Sequence, residues 1–543
     1  MHEHGNPRPP LRTGILACSG QEFEAWELAL FERLKRHPNL TIAGLVLLPA
    51  EARAAPPSGA FRVVSAIDGY LFDPGQKKHA LTEAEALASV PRISLEALVD
   101  GESSFDILLA HSPMPPGFEP GDFGGEIWEY QFNTDPAGNP ELFGFRESLG
   151  RAPLTRSAIL RRREGGTHEV IASLTTNTKF SGARNAHHAK SNLPALVERE
   201  LARRWQDSSS GAWSESLPST EVSTPDSAMT SGELVRYVGH LASNLVHRLG
   251  DSMIAKVGGG PGRWSLVVSR GDVLNGGMDD LQELHQPDGE HRADPFLFEK
   301  DGHTYVFFEC WRTGGAPARI CVGRIQGELL VDVEELDFGG IHLSYPFVFE
   351  TAEGIFMIPE THQRNRVEVW RCTEFPSRWE LHATALEGLS PADSVILEWN
   401  EQHWLLTSLS SGDILDHCME LHLYRVDGPG LNFVEPHPLN PVVLDTTCAR
   451  NAGRPFVRDG RLIRPAQITS HGIYGYGLVF MEVTEISMEG YAEKEIRRIE
   501  PDREKATTGC HHYDCNGDLF IMDVRRAYGS KLLGAGPIAL RVS

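Results

Sequence analysis

One pattern recurs five times in the second half of this chain: a Pro or small polar residue, an apolar strand, a Gly-centred turn and an aromatic-rich strand. The copies are DPFLFEKDGHTYVFFE from Asp294, SYPFVFETAEGIFMIPE from Ser344, ADSVILEWNEQHWLLTS from Ala392, AGRPFVRDGRLIRPAQ from Ala452 and GCHHYDCNGDLFIMDV from Gly509. They fall about 50 to 60 residues apart, the period of four-stranded propeller blades and not of helical repeats. Residues 258–543 are therefore expected to form an all-β five-bladed propeller. The fifth copy leaves too little chain for a whole blade, whereas Arg263 to Arg270 (RWSLVVSR) is a spare strand ahead of the first. That strand is expected to close the ring, because closure removes open sheet edges.

The first part of the chain reads differently. ILACSG, then Phe23, Trp26, Leu30 and Leu34 at helical spacing, then LTIAGLVLL open a parallel α/β sheet, to which FDILLA (Phe105 to Ala110) adds a strand. A charged amphipathic helix over Leu193 to Trp205 ends an α/β domain placed at residues 1–205. Residues 206–231 turn to Ser, Thr, Pro and Gly, a composition that buries too little apolar area to order itself, and read as a linker. In residues 232–257 Leu234, Val238, Leu241, Leu245 and Leu249 recur at three to four residues, the stripe of a docking helix.

Composition narrows the function. With 74 Asp and Glu against 51 Lys and Arg, and a net charge of -23, the chain lacks the basic surface that tracks phosphates, so nucleic acid is excluded as a partner. Apolar runs such as Leu40 to Ala50 are about half the length of a membrane span, and the N-terminus has no secretory pattern. Eight scattered cysteines are too sparse for a disulfide scaffold and suit a reducing cytoplasm.

The first strand of every blade lines a propeller's central channel, so equivalent repeat positions converge. This selects Asp294, Tyr345, Asp393, Arg454, His511 and His512, with Glu309, Glu360, Arg464 and Gln467 on second strands. Acids, guanidinium, amide and imidazole around one cavity suit a polyhydroxylated ligand, with Arg454 and Arg464 placed to hold a phosphate or carboxylate, or else to pair internally with Glu309 or Glu360. The cluster Cys510, His511, His512 and Cys515 invites a metal, but on a strand neighbours point to opposite faces and four ligands must converge. No metal and no cofactor are expected.

The motifs ADPFLFEKDG, SYPFVFE with MIPET, PADS, PHPLNPV, ARNAGRPF, RLIRPAQ, YGYG and GCHH carry a resemblance. The stretch from about Asp294 to Asp523 resembles the propeller at the N-terminus of plant glucosamine inositolphosphorylceramide transferases and of many bacterial proteins, itself similar to the arabinanase and invertase clan of glycoside hydrolases. The resemblance implies Asp294 as base or nucleophile and Asp393 as the tuning carboxylate. The fourth-blade segment has no acid except Asp459 in its turn, so Glu360 stands in as the acid. Arg450 of ARNAGRPF and Tyr476 of YGYG join Glu309, Tyr345, Arg454, Arg464, Gln467, His511 and His512 as substrate-binding residues.

The α/β part, with GEIWEYQFNTDPAGNPELFGFRESL and the strand at SAILRRR, resembles a formyltransferase domain. Its expected Asn-His-Asp set is missing: the stretch reads Tyr130-Gln131-Phe132-Asn133, and RRREGGTHEV lacks the Asp. Asn133 and Asp135 are the nearest polar remnants, and Cys18-Ser19-Gly20 is a one-glycine turn that a phosphate would use. A relic serving structure or partner binding is expected. The reading as a whole is a cytoplasmic carbohydrate-active enzyme, hydrolase-like or glycosyl-transferring, in glycan or glycoconjugate assembly. Its ligand is a glycan, nucleotide sugar or phosphorylated sugar, and a second copy of the chain is an expected partner. The rivals are a non-catalytic sugar-binding propeller and a sugar-amine formyltransferase whose propeller holds the substrate.

Overall fold

The computed structural model describes residues 8–49, 59–73, 81–101, 104–115, 117–132, 142–207, 229–256, 262–276, 278, 280–312, 315, 317–412, 414–527, 538 and 540–543, with backbone alone at 83, 84, 247–256 and 505. The chain forms two compact units, residues 1–241 with 411–414, and residues 242–410 with 415–543. No helix of the described residues is long and apolar enough to cross a membrane.

The first unit is built on a seven-stranded mixed sheet. Its order is Arg92–Ile93, Leu40–Leu48, Leu11–Cys18, Ile107–Ala110, Glu126–Phe132, Leu154–Arg162 and His168–Asn177. The first five run parallel, and Leu154–Arg162 is antiparallel to both of its neighbours. Ile15, Leu16, Leu45, Val46, Leu108, Leu109 and Ile127 are fully buried, which is why these strands read as unbroken apolar runs. Helix Ala25–Arg36 turns Trp26, Leu30, Phe31 and Leu34 inward, and the Glu27 carboxylate caps its start by accepting from Glu24 N–H at 2.6 Å.

Helix Ser231–Lys256 follows a different stripe from the expected one. Leu234 and Tyr237 are buried with Leu241 beside them, while Val238 and Leu245 are 48% and 42% exposed. The side chain of Leu249 and the bulk of the linker, 208–228, lie outside the described residues. Tyr237 sets the face: its hydroxyl donates to Asp68 and accepts from Gly182 N–H. A purely apolar count misses a tyrosine that packs through its ring and anchors through its oxygen.

The second unit is the five-bladed propeller. Four blades are meanders starting from inner strands Glu290–Lys300, Ser344–Thr351, Ala392–Trp399 and Phe456–Arg458; the first two are four-stranded, the third gains Val443–Leu444 and the fourth gains Leu540–Val542 as a fifth strand. The fifth combines both ends of the propeller chain: Tyr513–Asn516 and Leu519–Arg526 are completed by Arg263–Arg270 and Gln282–Glu283. Arg263 pairs with Arg526 and the register runs unbroken to Arg270 with Leu519. The spare strand closes the ring as expected.

The inner strands share a device that the sequence does not show. Register slips between Ala293 and Phe296, Ser344 and Phe347, and Ala392 and Val395 place one bulge at the same point of three blades. The bulged residues Asp294, Tyr345 and Asp393 lie at φ 49°, 48° and 49°, a left-handed conformation that costs a non-glycine residue about 1–2 kcal/mol. Bulges of this kind re-aim a side chain out of the strand's alternation. In the fourth blade Gly453 takes the place at φ 138°, where a Cβ would sit 1.8 Å from Tyr513 O. Tyr345 clasps it across the channel: its hydroxyl donates to Gly453 O at 3.0 Å and accepts from Gly453 N–H at 2.9 Å.

Two substitutions test this clasp by urea denaturation. Tyr345→Phe leaves a buried N–H and C=O without partners and is expected to cost about 1–3 kcal/mol. Gly453→Ala meets both a backbone clash and a disfavoured φ, and is expected to destabilise by at least about 2 kcal/mol. Wild-type midpoints in both would show that the channel does not depend on this contact.

Candidate functional site

A cavity of about 330 Å³ opens in the propeller. Asp294 enters from the first blade's bulge, Ser344 precedes the second, Arg450 comes from the approach to the fourth inner strand, and His511 from the approach to the fifth. Glu309 and Glu360 stand on second strands at equivalent positions, opposite Ala293 and Ser344. Trp264, Trp311 and Tyr474 supply aromatic walls, and His342 and Ala318 complete the lining. Trp264 stacks on His511 at 4.3 Å between ring centres, Trp311 on His291 at 4.9 Å, and Tyr474 meets His511 edge-on at 5.4 Å.

Arg450 organises one wall. Its Nε donates to Asp393 at 2.6 Å, its Nη2 to Glu360 at 3.0 Å, and its guanidinium lies 5.3 Å from the Tyr474 ring centre. Asp393 is 1% exposed and also accepts from Gln467 Nε2 at 3.0 Å. His362 Nδ1 contacts Glu360 at 2.7 Å. Burial raises the Glu360 carboxyl, but the Arg450 charge and hydrogen bonds from His362 and Asp393 outweigh it and hold Glu360 well below the usual carboxylate range. Asp393 goes the other way: burial lifts it, Arg450 opposes, and the Glu360 charge leaves it well above.

Glu309 is the contrasting carboxyl. It is 8% exposed, His342 Nε2 lies 3.7 Å from its Oε1, and its carboxyl makes no hydrogen bond among the described residues. Burial, and then the charges of Asp294 and Glu360, push it well above the usual range. Asp294 is lifted by burial but brought below its ordinary value by the contact with His512 and the field of His511. The site thus holds one carboxyl shifted upward beside another shifted downward, the pattern from which acid and base roles arise.

Of the residues selected from the sequence, the structure brings Asp294, Glu309, Glu360, Arg450 and His511 to the cavity, with Asp393, Gln467 and His512 behind them. Four stand elsewhere. Tyr345 is the channel clasp. Arg454 pairs with Asp514 at 3.1 Å, donates to Val348 O at 2.8 Å and lies against the rings of Phe296 and Phe347. Arg464 is fully buried and paired with Glu493 at 2.6 Å. Neither arginine is among the cavity-lining residues, and neither pairs with Glu309 or Glu360, because each is paired with a carboxylate of its own surroundings. Tyr476 stacks on His471 away from the cavity, and its motif neighbour Tyr474 is the one that lines it.

Trp264, Trp311 and Tyr474 were missed as site residues. Trp311 had a signal, two residues beyond Glu309 on the same strand, whereas Trp264 counted only as part of a closing strand. The opposite-face argument against CHHYDC also fails in part: residues 510–512 are not strand, and the N–H groups of His511 and His512 both donate to Asp523 Oδ1. Cys510 instead packs into the apolar core, with its thiol toward Ile499 O.

In the first unit Tyr130, Gln131 and Phe132 end strand Glu126–Phe132, while Asn133 and Asp135 lie outside the described residues. The turn after Leu11–Cys18 is not a phosphate cradle. Cys18 N–H donates to Gln21 Oε1 and Ser112 Oγ, Ser19 N–H to Leu48 O and Gln21 N–H to Cys18 O.

The closed five-bladed ring around this cavity defines the class of the second unit as a five-bladed β-propeller. Residues 282–518 match the family model described as glucosamine inositolphosphorylceramide transferase 1, N-terminal, and the resemblance carried by the repeat motifs is borne out. The chain is 30% identical over 210 residues to glucosamine inositolphosphorylceramide transferase 1 of Oryza sativa subsp. japonica, and 31% over 213 residues to that of Arabidopsis thaliana. These matches span 37% and 38% of this chain and 27% of either relative. Among solved structures, a family 117 glycoside hydrolase of Zobellia galactanivorans is 12% identical, covering 48% of this chain and 90% of that one at a TM-score of 0.32. The catalytic domain of a Coprinopsis cinerea GH62 α-L-arabinofuranosidase is 12% identical, covering 49% and 97% at 0.33.

The Arg450 arrangement makes a sharp prediction. Arg450→Met strands Glu360 and Asp393 in a dry wall and is expected to destabilise by about 3–5 kcal/mol, read as a fall in the urea midpoint. A midpoint equal to wild type would show that the two carboxyls do not depend on it.

Proposed function

We propose that the propeller is the working domain of a carbohydrate-active enzyme, of the hydrolytic or glycosyl-transferring kind, with Glu309 as its general acid. The observation that carries this is the Glu309 carboxyl: buried, without a hydrogen bond among the described residues, with His342 Nε2 at 3.7 Å, and facing a cavity with aromatic walls. A carboxyl without such a hydrogen bond is one a ligand oxygen satisfies. Glu309 would protonate the departing oxygen at the anomeric centre. Glu360, held ionised by Arg450 and His362, would face the positive charge that develops there or accept a proton from the incoming hydroxyl. Trp264, Trp311 and Tyr474 offer the apolar surfaces on which sugar rings lie. The transferase named among the relatives supports a glycoconjugate setting, and a nucleotide sugar or phosphorylated sugar belongs to the proposal.

A panel of nitrophenyl glycosides and nucleotide sugars tests this. Glu309→Gln is expected to lower kcat by about 10²–10⁴, with affinity held within a few fold and melting temperature unchanged. Turnover that survives Glu309→Gln removes the acid role. Saturable binding with no product from any member of the panel would instead establish the sugar-binding propeller.

A second reading draws on the first unit, where a cavity of about 500 Å³ lies at the ends of parallel strands and is lined by His111, Tyr130, Gln131 and His168. It keeps formyl transfer to a sugar amine open, and requires a folate complex. Titrating the full chain with folate to millimolar concentration decides it, since absence of any complex removes the reading.

A further inference from the structure

The first-unit cavity of about 500 Å³ is reached by a chain of hydrogen bonds with one direction. Glu27 Oε1 stands 2.7 Å from His111 Nδ1. The carboxylate keeps the ring proton on that nitrogen and leaves Nε2 as an acceptor. The Tyr130 hydroxyl lies 3.3 Å from His111 Nε2 and donates to it. Burial, and then the Glu27 charge, hold the Tyr130 phenol well above its ordinary value, so the hydroxyl keeps its proton. Every proton of the chain thus points inward, toward Glu27. What is left for the cavity is the lone pairs of the Tyr130 oxygen, and whatever meets them must donate.

The rest of the wall asks for the same kind of group. Gln131 is 8% exposed and lines the cavity, and its side-chain amide makes no hydrogen bond among the described residues. A buried amide in that state is one a ligand satisfies. Glu22, Glu24, Glu27 and Glu129 line the cavity, and Lys190 is the one lysine among its lining residues. Lys190 shows how this wall holds an ammonium: Nζ donates to both oxygens of Glu24 at 2.8 Å and lies 5.2 Å from the Phe132 ring centre. Trp26 and Tyr130, with ring centres 5.1 Å apart, repeat the pairing of ring and carboxylate beside Glu27. There no lysine or arginine is paired with the carboxylate among the described residues.

We infer that the first unit binds a small molecule through a protonated primary amine, whose N–H groups are accepted by the Tyr130 oxygen and the Gln131 amide oxygen. An ammonium has three donors and no acceptor, the complement of a chain that offers lone pairs alone. Its charge answers the carboxylates of the wall, which a hydroxyl in the same place leaves unanswered. Glu27 and His111 are positioning residues here: they touch no ligand and fix the direction in which the Tyr130 proton points. The cavity has room for an amino sugar or an aliphatic amine, two sources of one chemistry. The inference rests on neither reading above, since it requires no folate and no reaction in the propeller.

The test titrates the full chain calorimetrically, without folate, with two size-matched pairs: glucosamine against glucose, and cadaverine against 1,5-pentanediol. At least one amine is expected to bind at least about tenfold more tightly than its hydroxyl counterpart, and the pair that shows the preference names the source. Tyr130→Phe keeps the ring against Trp26 and removes the oxygen. It is expected to weaken that amine at least about tenfold, with the melting temperature within a few degrees of wild type. Should it fail to fold, Gln131→Leu is the deciding variant, with the same expected loss. Glu27→Gln frees the imidazole to turn an N–H toward Tyr130, and is expected to reduce the preference for amine over hydroxyl, a ratio that a merely structural role would not move. Glu309→Gln, in the other unit, is expected to bind the amine as wild type does. No preference for either amine, a preference unchanged in the folded Tyr130 or Gln131 variant, or one lost in Glu309→Gln overturns the site. Each of these results leaves the propeller chemistry and the folate titration to their own tests.

Discussion

A residue at φ near 49° interrupts the inner strand of three successive blades at the same point, and this backbone turn decides which side chains reach the channel. An unbulged strand alternates sides, and the bulge re-aims one residue of each of these inner strands out of that alternation. The bulge frees Asp294 for the cavity, Tyr345 for the clasp on Gly453, and Asp393 for the guanidinium of Arg450. Each turn is unfavourable by about 1–2 kcal/mol in isolation. It persists because its side chain is held across the channel, by two hydrogen bonds each for Tyr345 and Asp393 and by the Tyr345 N–H for Asp294.

The wall built on Arg450 shows how charge is handled in so acidic an interior. One guanidinium serves two buried carboxyls, and a buried ion pair seldom adds net stability once desolvation is counted. Its value lies in position: with Asp393 and Gln467 fixed behind it, Arg450 presents Glu360 to the cavity in one orientation. Glu309 has no such holder. The two glutamates occupy equivalent places in neighbouring blades, and their opposite titration behaviour comes from surroundings alone.

Much of this was legible in the sequence. Five repeat copies gave the blade number, the spare strand gave the closure, and alignment of Asp294, Tyr345 and Asp393 picked the residues that turn out to share a bulge. What stayed hidden depends on three dimensions. Arg454 and Arg464 look like Arg450 in sequence, and only the proximity of Asp514 and Glu493 shows that they are already paired. Tyr474 and Tyr476 are separated by one glycine, and strand alternation plus a turn decides which of them faces in. GCHH read as strand, whereas the Asp523 carboxylate gathers its amides into a loop.

Ring closure also orders events in time. Trp264 comes from the strand nearest the start of the propeller, while His511 and Asp523 come from segments close to its end. A chain emerging from the ribosome can complete its first three blades and still lack a finished channel. The cavity comes into being only when Leu519–Arg526 lays itself against Arg263–Arg270, so a chain that has built its blades one after another has an assembled channel only once that pairing closes the ring.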